Sequence, residues 1–111
     1  MDSTYKSVKV FDSLSAMEKV FVEKAIRVLR IGEQKVCLAK SKDEFFAFEA
    51  LCPHQKQPLS EGTFNAFNEV ICPVHFYRFN LKTGEEANRL CHDLKTFPVE
   101  INDQGVFIKL Y

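Results

Sequence analysis

Cys52-Pro53-His54, then seventeen residues (55–71), then Cys72-Pro73-Val74-His75: this stretch decides how the rest of the chain is read. Each short loop offers one thiolate and one imidazole. Each cysteine is followed by a proline, whose ring narrows the backbone angles around it and helps hold the loop open. Taken singly, such residues are ordinary, because cysteine often packs as a small core hydrophobe and histidine often sits in turns. Their order and the matching prolines argue for one shared ligand set.

Two chemistries use two cysteines and two histidines. A tetrahedral zinc site usually takes like ligands from one loop, in the pattern Cys-x2-4-Cys and His-x3-5-His. A mixed-ligand 2Fe-2S centre holds one iron by two cysteines and the other by two histidines. Here unlike ligands share each loop, which favours the iron-sulfur cluster, with Cys52, His54, Cys72 and His75 as ligands. Two such loops at the tips of adjacent hairpins can face each other, sulfurs inward and imidazoles toward solvent.

Outward from the loops the pattern is mostly β. Glu69-Val70-Ile71 leads into the second loop, and Tyr77-Arg78-Phe79-Asn80-Leu81 leads out of it to a turn at Lys82-Thr83-Gly84. Upstream, Lys35-Val36-Cys37-Leu38-Ala39 and Glu44-Phe45-Phe46-Ala47-Phe48 flank the polar turn Ser41-Lys42-Asp43 and read as a hairpin. Downstream, Val99 and Ile101 alternate with polar neighbours, Asn102-Asp103-Gln104-Gly105 turns the chain, and Val106, Ile108 and Leu110 alternate again. Strands this short and this evenly spaced predict an all-β fold, a small antiparallel barrel or sandwich base with an inserted two-loop subdomain. Residues 25–31 read as a further strand before the Gly32 turn. Residues 15–24 are ambiguous: Ser15 and Glu18 form a capping-box pattern ahead of helical spacing, yet Val20-Phe21-Val22 favours a strand.

At 111 residues, 46% apolar and 27% charged, the chain fits one folded domain, residues 1–111, with the cluster-binding part at about 50–82. Lys plus Arg balances Asp plus Glu at 15 each, so no net field would hold nucleic acid or an anionic membrane. No apolar run is long enough to span a bilayer, and Met1-Asp2-Ser3-Thr4 does not begin a secretory signal, so a cytoplasmic location is expected. In that setting cysteines serve metal or redox chemistry more readily than disulfides.

The sequence resembles the Rieske ferredoxins and the Rieske-like small subunits of assimilatory nitrite reductases. The resemblance rests on the two ligand loops, on Leu59-Ser60-Glu61-Gly62, and on Arg78-Phe79-Asn80-Leu81-Lys82-Thr83-Gly84. It continues through Phe97-Pro98-Val99 and covers roughly residues 25–111. It implies a Rieske-type 2Fe-2S cofactor and an electron carrier between a flavoprotein reductase and a terminal oxygenase. The alternatives are the small subunit of a nitrite reductase, paired with its large subunit, and a zinc-stabilised or cluster-less binding module. No catalytic residue stands beside the cluster, so enzymatic activity belongs to the wider oxidoreductase system.

Departures from the family pattern are specific. Phe76 stands where the family usually has glycine, and its side chain resists the backbone angles glycine allows, which leaves the loop path there open. Residues 85–92 lack the Gly and Pro that commonly build a cover over the cluster. About six more residues than usual precede Gly32, which implies an N-terminal addition. Respiratory Rieske proteins of cytochrome bc complexes carry a serine two residues and a tyrosine four residues after the second histidine; here those places hold Tyr77 and Phe79. They also tie their loops by a disulfide, where this chain has Gln57 and Val74. Fewer donors to the cluster imply a potential near the bottom of the Rieske range of about −150 to +300 mV.

Cys37 is expected in the core, and Cys91, beside His92, in a structural or incidental place without a partner loop. The eleven phenylalanines read as core, except Phe76. Gln55, Lys56, Pro58, Leu59, Val74 and Phe76 are expected to ring the cluster as a docking patch suited to brief encounters.

Overall fold

The computed structural model describes residues 6–21, 25–53, 56–74 and 76–110. Ten strands and one short helix are present among them. A first sheet orders β1 (Lys6–Phe11), β10 (Gly105–Leu110) and β9 (Val99–Asn102). A second orders β2 (Ile26–Ile31), β3 (Gln34–Ser41), β4 (Glu44–Glu49) and β8 (Thr96–Phe97). A third orders β5 (Thr63–Phe64), β6 (Glu69–Ile71) and β7 (Arg78–Asn80). Every pairing is antiparallel.

β3 explains how the sheets share a centre. Its residues 36–39, Val-Cys-Leu-Ala, are all buried, so the strand reads as a continuous apolar run instead of an alternation. Side chains on a strand alternate faces. Val36 and Leu38 join Met17, Phe97, Val106 and Ile108 in one core, against the first sheet and the helix. Cys37 and Ala39 join Phe46, Phe48, Leu59, Val70 and Phe79 in a second core, which also holds Cys52 and Cys72. The second sheet is thus a wall between a base core and a cysteine-bearing core.

The first part of the ambiguous segment is α1 (Leu14–Lys19), while residues 22–24 lie outside the described residues; the helix cap is Ser13, not Ser15: the Ser13 hydroxyl accepts the Ala16 N–H at 3.1 Å. Six residues make a helix too short to stand alone, and its fully buried Met17 supplies the packing that holds it. The residues ahead of it form β1, which pairs with β10 from Lys6 against Leu110 to Phe11 against Val106. Two phenylalanine and strand expectations need correction. Phe67 is 76% exposed, at a turn closed by the Asn65 carbonyl side-chain oxygen, which accepts the N–H groups of Phe67 and Glu69. Ile101, apolar in an alternating strand, is also exposed, because β9 is an edge strand.

Candidate metal centre

β4 delivers the chain to Cys52, and β6 delivers it to Cys72. The first loop is closed by a bridge between Leu51 and Pro58, the second by the pairing of Ile71 with Arg78. Within the first, the Cys52 N–H donates to the Gln57 carbonyl at 2.8 Å, and the Lys56 N–H donates to the Cys52 carbonyl at 2.7 Å. Within the second, the Cys72 N–H donates to the Tyr77 carbonyl at 2.9 Å, and the Phe76 N–H donates to the Cys72 carbonyl at 3.0 Å. The offsets are identical. In each loop the fifth residue takes a left-handed backbone, Lys56 at φ 58° and Phe76 at φ 59°.

The two loops therefore share one backbone frame, set by Cys52, Lys56 and Gln57 in the first and by Cys72, Phe76 and Tyr77 in the second. This was hidden in the sequence because the histidine is third in one loop and fourth in the other. Phe76 takes the left-handed backbone that glycine adopts without strain. A bulky residue in the left-handed region costs roughly 1–2 kcal/mol, which the surrounding hydrogen bonds offset.

Cys52 and Cys72 are both buried and share the second core. His54, Gln55 and His75 lie outside the described residues. The cysteines fit a two-loop cluster: equivalent positions, equivalent backbone support, and burial beside Phe79, which brings no hydrogen-bond donor. The Rieske 2Fe-2S domain model matches residues 13–98. The chain belongs to the Rieske family.

Among its relatives, the ferredoxin component of the alkene monooxygenase system of Xanthobacter autotrophicus is 32% identical over 81 residues, 73% of this chain and 66% of that one. The ferredoxin component of the naphthalene 1,2-dioxygenase/salicylate 5-hydroxylase systems of a Ralstonia species is 31% identical over 74% of this chain and 79% of its own. A chain in the solved complex of reduced oxygenase and oxidised ferredoxin in carbazole 1,9a-dioxygenase superposes with a TM-score of 0.72 at 30% identity, covering 92% of this chain and 91% of the other. A nitrite reductase small subunit superposes with a TM-score of 0.74 at 24% identity over 93% and 97%, which shows the shared fold. The cofactor of this Rieske domain is a Rieske-type 2Fe-2S cluster.

A third segment leans on the Rieske loops. After Gly84 the chain doubles back along β7: Glu86 bridges to Phe79, the Asn80 N–H donates to Glu85 at 3.0 Å, and the Ala87 N–H donates to Arg78 at 2.9 Å. Glu86 is only 1% exposed. Its carboxylate accepts the N–H groups of Asn88 at 2.8 Å, Leu90 at 2.9 Å and Arg78 at 3.4 Å. No signal in the sequence marked Glu86, because a pair of glutamates after a turn ordinarily reads as solvated. Cys91, at the end of this segment, is half-buried against the core that holds Cys52 and Cys72. Burial raises its thiol pKa, and electrostatic repulsion from its neighbours, Glu86 and Asp93 among them, raises it further. All four cysteines thus lie in or against one core. Cys37 is buried in β3 as expected.

The predicted docking patch is corrected in one member and enlarged in two. Leu59 is fully buried, drawn inward by the 3-10 turn Leu59–Glu61 and by its N–H bond to the Ala50 carbonyl at 2.9 Å. Lys56, Pro58 and Phe76 are exposed, and Val74 is half-buried against the second core. Leu51, at the base of the first loop, and Leu90, 59% exposed in the third segment, add apolar surface that the sequence reading missed.

Proposed function

We propose that the chain is an electron-transfer ferredoxin whose 2Fe-2S cluster is held by Cys52 and Cys72 on one iron and His54 and His75 on the other. It passes single electrons from a flavoprotein reductase to a terminal oxygenase. The observation that carries this reading is the duplicated loop: two equal supports, each presenting one buried cysteine and each containing one histidine. Residues 1–111 act as one domain in this reading, with residues 50–82 as its cluster-binding part, in the cytoplasm. No helix among the described residues is long and apolar enough to cross a membrane.

What the protein contributes is support and environment. The hydrogen-bonded loops hold the ligand positions, the second core keeps water from the sulfurs, and Phe79 withholds a hydroxyl where respiratory relatives supply one. A scarcity of donors favours the oxidised state and keeps the potential low. Ferredoxin components of oxygenase systems are among the relatives that match by sequence, which favours the oxygenase partner over a nitrite reductase.

The test is spectroscopic. Fresh protein should be red-brown with a Rieske paramagnetic signal on reduction, and His54→Ala and His75→Ala should each lose that signal. A colourless zinc protein, or both variants with the signal intact, would overturn the assignment. Film voltammetry near neutral pH should place the midpoint below zero; a value well above zero removes the low-potential part.

A further inference from the structure

We infer that Glu86 is a positioning residue for the cluster, tying the third segment to the second ligand loop and holding the reduction potential down with a buried negative charge. The inference rests on Cys72 being a ligand.

The connection runs through one peptide group. The Tyr77 carbonyl accepts the Cys72 N–H, and the N–H of the same peptide unit, on Arg78, donates to Glu86 Oε2. A carboxylate pulling on that N–H strengthens the carbonyl on the far side as an acceptor. Oε1 of the same carboxylate gathers Asn88 and Leu90, so one side chain fixes both the loop and the segment that leads to Cys91. All three partners are donors, the set that an ionised carboxylate takes.

The charge is also undiluted. Among the described residues no cationic side chain pairs with Glu86: the Arg78 guanidinium lies 3.6 Å from Glu69, and Arg89 pairs with Glu85. Buried charges act over longer distances than exposed ones, because little water screens them. Reduction adds one negative charge to the cluster, and a fixed negative neighbour opposes it.

The experiment is film voltammetry on the cluster-loaded parent, Glu86→Gln and Glu85→Gln. The two variants remove the same formal charge from adjacent residues, one buried and one exposed. Glu86→Gln should raise the midpoint clearly more than Glu85→Gln, with the Rieske spectrum retained. Equal shifts, or none, overturn the inference while leaving the ligand assignment intact; a parent without a Rieske spectrum overturns both. Should Glu86→Gln yield no loaded protein, amide exchange on the parent decides. Arg78, Asn88 and Leu90 N–H groups should exchange at least tenfold more slowly than Asp103 in the exposed C-terminal turn, and equal rates overturn the positioning role.

Discussion

Lys56 and Phe76 occupy the same place in two copies of one loop: each takes a left-handed backbone, and each donates its N–H to the carbonyl of the cysteine four residues before it. One is a flexible cation and the other a large aromatic, so backbone preference did not choose either. Phe76 is 71% exposed and buries little surface to repay its strain.

Phe76→Gly should therefore stabilise the protein, or at least not destabilise it. Release of left-handed strain is worth roughly 1–2 kcal/mol, reduced by the greater freedom of glycine in the unfolded chain. Chemical denaturation followed by loss of cluster absorbance reads the difference. A midpoint clearly below that of the parent would show that the aromatic ring contributes packing that its exposure conceals.

The same ring should matter for transfer. Phe76 and Leu90 are exposed apolar residues on the loop and on the segment beside it, a surface suited to short-lived contacts. Phe76→Asp and Leu90→Asp should each slow electron delivery to the oxygenase by about tenfold, equivalent to about 1.4 kcal/mol, with spectrum and midpoint nearly unchanged. Stopped-flow reduction of the oxygenase at several salt concentrations checks this, and rates equal to the parent remove the patch.

Gly84→Ala should be among the most damaging single substitutions. Gly84 has φ 81°, and a Cβ there would overlap the Leu94 carbonyl. Its own N–H and C=O bond Asn80 and Leu94, both at 2.7 Å, so the backbone has little room to shift. A loss of about 3 kcal/mol or more is expected from strain of this kind, read as a lower unfolding midpoint.

Burial pushes the Cys37 thiol from 9.0 up to about 12. The unfolded chain releases this proton near pH 9, while the folded chain keeps it until about pH 12. The associated stability is present in full below pH 9 and is lost as pH rises toward 12, at about 1.4 kcal/mol per unit. Cys37→Ala should lose stability less steeply than the parent across that window. Parallel slopes in unfolding titrations would show that Cys37 does not ionise on unfolding there. Below pH 9, iodoacetamide should label half-buried Cys91 before Cys37.

What the sequence disclosed followed from how local each signal is. The hairpins around Lys42-Asp43 and residues 102–105 are set by neighbours within a few positions and are found where the pattern placed them, and Cys52 and Cys72 stand at equivalent places in two loops. Ser13 was passed over as a cap because Ser15 with Glu18 makes the more recognisable pattern, although only Ser13 precedes the turn that Met17 anchors. Leu59 read as surface because it sits among polar residues, and its inward position depends on a hydrogen bond to distant Ala50. Glu86 was invisible for a related reason: its partner Arg78, on β7, is brought to it by the reversal after Gly84. The pairing of β1 with β10 joins the two ends of the described chain, and no short-range pattern reports it.

β3 is a partition with one set of side chains in each compartment, which makes parity along the strand an experimental handle. Substitutions at Val36 and Leu38 load the scaffold side, and substitutions at Cys37 and Ala39 load the cofactor side, two residues apart on the same backbone. Because that backbone is common property, the strand cannot give way for one compartment alone. A change that loosens the strand from the base side is therefore felt on the cysteine-bearing side as well, because both cores lean on one mechanical element.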